Sequence, residues 1–328
     1  MSTHLPEKIE TDFTKQMGIR YPIVSAPMFL VSNVDMVVAT SNAGGLGTFP
    51  ALNFRPLEKY REALKQIRSR TKHPFGVNII VQQKNQAGAD HLKIGLEEGV
   101  PLFITSLGNP KSVIADAHRN GAKVYCDVVG LEHAQKAADL GADGLVAVGA
   151  GAGGHAGTIS PFALVPYLKD KVGLPVLAAG SIVDGRGLLA ALALGASGAY
   201  LGTRFIASTE SPASEDYKQA ILAAGCSSIV NTERVDGFPG NFIRTPKLEK
   251  LGIEPGFFEK LLTHHASVNR SLALLRAGRA LFAPPEKASY QTIFSAGHGV
   301  GLIHSVESIE KIIHDLVASY VAAKKALP

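Results

Sequence analysis

The chain has no tryptophan, two cysteines and four methionines among its 328 residues. Two cysteines a hundred positions apart exclude a disulfide framework and a cysteine-based zinc site. Cys126 and Cys226 read as one core thiol and one surface or helix thiol, which suits a reducing compartment. Lys and Arg never cluster into a stripe, and the net charge of +5 is mild. A nucleic-acid partner is therefore not expected, whereas small anionic ligands are compatible with this balance. No long apolar run exists either. The most apolar stretch, Gly187 to Leu201, is interrupted by glycines and followed by Arg204, so it reads as a helix and a strand and no membrane partner is expected. The first eight residues, Met1 to Lys8, lack the apolar core of a secretory signal, and a cytoplasmic location is the expectation.

Glycine is what the sequence has in quantity, and one run concentrates it. Val146-Ala-Val-Gly-Ala-Gly-Ala-Gly-Gly-His155-Ala-Gly157 opens as a buried strand over Gly144 to Val148 and then breaks into a loop. Without side chains, backbone N–H groups can approach a ligand closely. One titratable group, His155, stands in the middle of the loop. Taken alone, the run is equally readable as a flexible turn with an incidental histidine.

The rest of the chain alternates short apolar runs with amphipathic segments. Strands are expected at Tyr21 to Met28, Gly45 to Pro50, Phe75 to Val81, Leu102 to Leu107, Lys123 to Val129, Gly144 to Val148, Pro175 to Ile182 and Ala199 to Phe205. Helices are expected between them, for instance Asn33 to Ala43 with Asn33 as cap, and Pro56 to Thr71 with Leu57, Tyr60, Leu64 and Ile67 on one face. Three helix-to-strand turns share a Gly-Ala pair, at Ala122, Ala142 and Ala196, where the glycine serves as C-cap. Eight such units close naturally into an α/β fold of the (β/α)8 TIM-barrel class; an open doubly wound sheet is the structural alternative. Residues 1–17 are expected on the barrel's outside. Residues 209–290 break the rhythm and read as a helical insertion after strand eight that covers the mouth, which leaves 1–208 and 291–328 as the barrel domain. Ser305 to Lys325 is the closing helix.

Ligand contacts in a barrel of this kind gather at the C-terminal strand ends. That end holds Met28, Asn78, Asp127, His155, Gly180, Ser181, Gly202 and Thr203. Gly180-Ser181 and Gly202-Thr203 suit a phosphate cradle, since small residues and a short helix N-terminus expose N–H groups to a dianion. The competing reading is tight strand–helix packing. The remaining histidines read as structural or solvated: His91, His118, His133, His304 and His314 lie on helix patterns, and adjacent His264 and His265 point to different faces, so no metal is expected. His298, in a glycine-flanked turn, is a candidate neighbour of the site, and Arg204 reads as a barrel-end ion-pair partner or as a clamp for an anionic substrate.

Taken together, Ala26-Pro-Met28, Asn42-Ala-Gly-Gly-Leu46, Pro74-Phe-Gly-Val-Asn78, Ala152-Gly-Gly-His-Ala-Gly157, Ala178-Ala-Gly-Ser-Ile182 with Asp184-Gly185, and Gly202-Thr-Arg-Phe205 resemble the nitronate monooxygenase family, formerly 2-nitropropane dioxygenases. The resemblance implies a TIM barrel holding non-covalent FMN, and oxidation of an alkyl nitronate or nitroalkane by O2 to a carbonyl compound and nitrite. It implies that the phosphate lies on Gly180, Ser181, Gly202 and Thr203. It implies a ring near Ala26, Met28 and Asn78, a border at Ser295 and Gly297, further cofactor contacts at Pro27, Asp127, Ala152, Gly153 and Gly154, and a catalytic His155. Three positions depart from the family pattern. Val148 stands where relatives often carry a polar or acidic residue, seven before the histidine, Gly151 where they often carry a Glu, four before it, and Asp127 where some carry a lysine. The same motifs resemble enoyl-ACP reductases of the FabK type and NADH:quinone reductases. That keeps open a NAD(P)H-dependent reductase of a quinone or enoyl thioester, and the missing polar partners at Val148 and Gly151 keep open a flavin-binding protein without turnover. Oligomeric state is not legible in the sequence.

Overall fold

The computed structural model of the protein describes residues 5–81, 86–253 and 292–327. Eight parallel strands close a barrel in the order β1 (Ile23–Ser25), β2 (Leu46–Pro50), β3 (Phe75–Ile80), β4 (Leu102–Ser106), β5 (Lys123–Val128), β6 (Gly144–Val148), β8 (Val176–Ala179) and β9 (Gly198–Leu201). Pairing of β1 with β9, Val24 opposite Tyr200, completes the ring. The connecting helices are α2 (Val34–Asn42), α3 (Leu57–Arg70), α4 (Gln86–Glu97), α5 (Lys111–Arg119), α6 (Leu131–Asp139), α7 (Pro161–Val172) and α8 (Gly185–Ala193). The eighth is the closing helix, α12 (Ile309–Ala326), which packs between α8 and α2. This is the (β/α)8 barrel that the alternation predicts. The three Gly-Ala turns end their helices one residue earlier than read: Asn120, Leu140 and Leu194 are the C-caps, and Gly121, Gly141 and Gly195 follow with φ of 75°, 89° and 92°, the left-handed region that stops a helix.

The pleat sorts side chains into two layers. Outward residues such as Val77, Phe103, Val124 and Ala178 join the main core beneath the helices. Inward residues Val24, Leu46, Leu102, Ile104, Tyr125, Val146 and Leu177 form the barrel's own filling. The N-terminal segment is not on the outside, as its polar composition suggests. Helix α1 (Asp12–Met17), capped by Thr11, inserts Phe13 and Met17 into that inner cluster. Phe13 meets Tyr125 edge-on at 5.5 Å, and the Thr11 hydroxyl donates to the Ser197 carbonyl at 2.6 Å. Two apolar residues spaced four apart suffice to plug the bottom of the barrel.

Several local expectations change. Gly202, Thr203, Arg204 and Phe205 are not strand: Leu201 ends β9, and Gly202 is the N-cap of a short helix α9 (Thr203–Ile206). His91 is buried, not solvated. Its Nδ1 bonds the Ala87 carbonyl at 2.6 Å, its ring sits edge-on to Tyr60 at 5.0 Å, and burial pushes its pKa down. His118, His133, His304 and His314 are exposed as expected, as is Cys226, while Cys126 is buried with its thiol pushed up to about 11 by desolvation. Arg204 donates to the Ser305 carbonyl at 2.9 Å, with the Glu307 and Asp315 carboxylates near, which ties it to the segment before α12.

After β9 the described chain continues through α10 (Glu215–Ala223), an antiparallel pair β10 (Ile229–Thr232) and β11 (Gly240–Ile243), and α11 (Pro246–Leu251). The insertion is thus not helical throughout. The helical pattern expected over Gly256 to Arg279, His264 and His265, and the Pro284-Pro285 boundary lie outside the described residues. No helix among the described residues is long and apolar enough to cross a membrane.

One helix contact is close enough to test. A Cβ on Gly185, the first residue of α8, would lie 1.9 Å from the Tyr320 backbone nitrogen and 2.5 Å from the Leu316 carbonyl oxygen of α12. Gly185→Ala is expected to lower stability by about 1–3 kcal/mol through forced separation of these helices, read as a lower urea midpoint at unchanged slope.

Candidate active site

Strain collects at one end of the barrel. Leu30, Leu107 and Ser181 have positive φ, 60°, 57° and 58°, and follow the C-terminal ends of β1, β4 and β8. Left-handed backbone in β-branched-free but Cβ-bearing residues is uncommon and persists where surrounding structure enforces it. The candidate site residues stand at this same end.

One group of them is stitched together by the glycine loop. The Gly151 carbonyl accepts from the backbone N–H of Ser181 at 3.1 Å and of His298 at 3.2 Å. Gly297 N–H donates to the Thr203 hydroxyl at 3.0 Å, which joins the Ser295–Gly297 turn to α9. Contacts are too close here for larger residues. A Cβ on Gly151 would lie 2.1 Å from Ser181 Oγ, and one on Gly153 2.8 Å from the Ala296 backbone. A glutamate at position 151 would therefore need Ser181 to move. Gly180 also has a positive φ, 127°, beside the Ala152 nitrogen. Ala26 bonds the Leu201 carbonyl through its N–H, Pro27 follows it, and Met28 Sδ lies 3.7 Å from where a Cβ on Gly202 would be. The backbone N–H groups of Gly180, Gly202 and Thr203 meet no acceptor among the described residues.

The insertion builds the second group. Strand β7 (Gly154–His155) pairs antiparallel with β11, Gly240 opposite His155, so the histidine lies on a strand edge and not in a free loop. Buried Asn241 donates from Nδ2 to the carbonyls of Ala150 at 2.8 Å and Ala152 at 2.7 Å, which pins both sides of the glycine loop. His155 Nε2 and Asp236 Oδ2 are 2.5 Å apart. The histidine side chain is 45 % exposed and the aspartate 1 %, so a solvent-facing ring is held by a carboxylate fixed in the interior. Asp236 Oδ1 accepts from Phe238 N–H at 3.0 Å, and the Phe238 ring meets the imidazole edge-on at 5.6 Å. Tyr217 supports the same wall, donating to the Ser295 carbonyl at 2.5 Å and stacking on Phe294 at 4.5 Å.

The third group forms the floor, from three consecutive strands. Asn78 Nδ2 donates to Ser106 Oγ at 2.7 Å and to the Ile104 carbonyl at 3.1 Å. Ser106 in turn donates to Asp127 Oδ2 at 2.5 Å. Asp127 Oδ1 is buried with no partner, and desolvation pushes the carboxyl up to about 6.

Asp236, Asn241 and Ser106 are the residues the sequence does not announce. Asp236 and Asn241 lie in Val235-Asp-Gly-Phe-Pro-Gly-Asn241, whose composition signals only turns. Ser106 is findable by alternation, since it shares the inward face of Leu102 and Ile104. His298 contributes its backbone N–H and leaves its side chain exposed. No group of three or more His, Cys, Asp or Glu among the described residues is placed to hold a metal.

This geometry can be set beside known proteins. The chain is similar to a (3aS,4S,5R,7aS)-5-hydroxy-7a-methyl-1-oxo-octahydro-1H-indene-4-carboxyl-CoA dehydrogenase of Mycobacterium tuberculosis, 36 % identical over 74 % of this chain and 69 % of that protein. It is similar to a nitronate monooxygenase of Pseudomonas aeruginosa, 34 % identical over 69 % of this chain and 77 % of that one. Among solved structures it superposes on FabK from Thermotoga maritima with a TM-score of 0.82 and 32 % identity, covering 97 % of this chain and 98 % of that one. The family model for nitronate monooxygenase matches residues 10–319, insertion included. A match of that extent, on a closed barrel whose glycine loop, His155 and final strand ends converge on one mouth, leads to one conclusion: the chain belongs to the nitronate monooxygenase family, a family of oxidoreductases.

Proposed function

We propose that the protein is an FMN-dependent oxidoreductase that oxidises an alkyl nitronate, or its parent nitroalkane, with O2 to a carbonyl compound and nitrite. The observation that carries this reading is the His155–Asp236 pair at the barrel mouth, a solvent-reaching base anchored by a buried carboxylate. The mouth fits a flavin on two counts. The N–H groups of Gly180, Gly202 and Thr203, which donate to no acceptor among the described residues, suit the phosphate, and the unpartnered Asp127 Oδ1 suits a polar edge of the ring. When bound, the flavin supplies the electron sink that no side chain provides.

The chain's own part is proton management and orientation. Asp236 accepts the proton on His155 Nε2, so the free lone pair is on Nδ1. Toward a neutral nitroalkane, Nδ1 takes the proton from the carbon beside the nitro group. Toward a preformed nitronate, the protonated ring donates from Nδ1 to a nitronate oxygen. Asn241 holds the glycine loop that carries the histidine, so the base stays in place while substrate enters. The described part of the insertion thus works as a wall of the site, which supports reading 209–290 as an addition to a barrel of 1–208 and 291–328.

A second reading, oxidoreduction of a CoA or enoyl thioester, is favoured by the similarity to the carboxyl-CoA dehydrogenase and by the rim. Leu107, Val129, Ile159 and Phe162, 39–69 % exposed, follow β4, β5 and β6 and offer an apolar approach on one side of the mouth. The same base would serve a proton beside a thioester carbonyl. Protein reconstituted with FMN is expected to be yellow and to consume O2 with propyl nitronate while releasing nitrite. No uptake, combined with anaerobic bleaching of the visible band by NADH or an acyl-CoA, transfers the assignment to the second reading.

A further inference from the structure

Most polar groups at the mouth have a partner; Asp127 Oδ1 does not. Its position is set by the pleat. On β5, Val124, Cys126 and Val128 face the helices while Tyr125 faces the barrel interior, so Asp127 stands one layer above Tyr125 at the top of that interior. Ser106 ends the inward face of β4, and Asn78 faces inward on β3, opposite Ile104 and so level with Tyr125. The hydrogen bonds between them have one direction. Asn78 has an amide donor on Ser106 Oγ, and Ser106 spends its only hydrogen on Asp127 Oδ2. Oδ2 is therefore an acceptor, and a proton on this carboxyl belongs to Oδ1.

The surroundings favour that proton. Val146 of β6, opposite Asp127 in the ladder, is an apolar neighbour on the inner face. The titratable groups coupled to Asp127 are Tyr200 of β9 and Cys126 of β5, and burial holds both neutral. Among the described residues no Lys, Arg or His offsets the carboxylate charge there, and desolvation dominates its titration.

We propose that Asp127 presents the mouth with a neutral carboxylic acid whose Oδ1–H donates a hydrogen bond to a carbonyl oxygen of the bound flavin ring. The proposal rests on the flavin reading above. The acid does two things there: it satisfies a ring acceptor in a dry site, and it keeps negative charge away from a ring that must accept electrons. The rival is an ionised Asp127 that accepts from a ring N–H, and the two predict opposite responses to pH.

The test is FMN binding to the full chain, followed by quenching of flavin fluorescence between pH 5 and 8, in wild type, Asp127→Asn and Asp127→Leu. The ratio of wild-type to Asp127→Asn dissociation constants cancels titration of the FMN phosphate itself. That ratio is expected near one at pH 5 and to rise about tenfold or more by pH 8, as the wild-type acid ionises while the amide keeps its donor. Asp127→Leu, with no donor, is expected to bind about 3–10-fold more weakly than Asp127→Asn at pH 5, the size of one neutral hydrogen bond. A flat ratio, or one that falls as pH rises, overturns the proposal while leaving flavin binding intact. Failure of all three proteins to bind FMN at any pH overturns the flavin reading itself and this inference with it. Far-UV circular dichroism of each variant separates lost binding from lost fold.

Discussion

Asp236→Asn is expected to lower kcat for a neutral nitroalkane by about 10²–10⁴-fold, as large a loss as His155→Ala, because a positioned general base contributes that much. The reason is the tautomer. The Asp236 carboxylate can only accept, so it holds the proton on Nε2 and leaves Nδ1 free to act. An amide can donate to Nε2 instead, which moves the ring proton to Nδ1 and blocks the base; carboxylate-to-amide changes behind a catalytic histidine act this way in other folds. A merely structural role for Asp236 makes different predictions. It would weaken both substrates alike, through KM as much as kcat. The positioning role predicts a smaller loss for the preformed nitronate, which needs no proton removed. It also predicts that His155→Ala with Asp236→Asn is little worse than His155→Ala alone, since the two act as one unit. Additive losses, or equal losses with acid and anion, would refute it.

Flavin-free Asp127→Asn is expected to be more stable than wild type, by about 3 kcal/mol at pH 7.5 and about 1 kcal/mol at pH 4.5. The sign follows from the raised carboxyl. Burial moves it from 3.8 to about 6, so between those values the folded protein holds a proton that the unfolded chain has released. The wild-type fold therefore loses stability as pH rises across that window and levels off above it. Asparagine removes the titration, and its amide oxygen can still accept from Ser106. The gain must come with this pH dependence: a variant equally stable to wild type from pH 4.5 to 7.5 in urea unfolding would mean that Asp127 is ionised at little cost. A group that stability alone would replace is one that the site has reason to keep.

These two aspartates differ in how they are found. Asp127 is visible in the sequence because it ends a strand that can be read from Lys123-Val-Tyr-Cys-Asp-Val-Val129. What is not visible is that Ser106 and Asn78 reach it, since that depends on strand register, with Ile104 opposite both Asn78 and Tyr125. Asp236 is 81 residues from its histidine, within a turn-rich stretch of an insertion that the broken rhythm marks only as irregular.

From sequence alone, the barrel follows. Helical and strand periodicities report which face of each element is buried, and glycine caps report where elements end; both are local properties of a chain with eight repeats of one unit. The loop at His155, the small residues closing the last two strands and the family resemblance are equally local. Tertiary structure decided the rest. It turned a polar-looking N-terminus into a plug through Phe13 and Met17, buried His91 against Tyr60, and placed Thr203 on a helical turn. It also folded β11 back onto Gly154–His155, which brought Asp236 to the imidazole. Those outcomes depend on which distant groups share a hydrogen bond once strands have closed and an insertion has returned to the mouth, and one-dimensional patterning carries no such pairing.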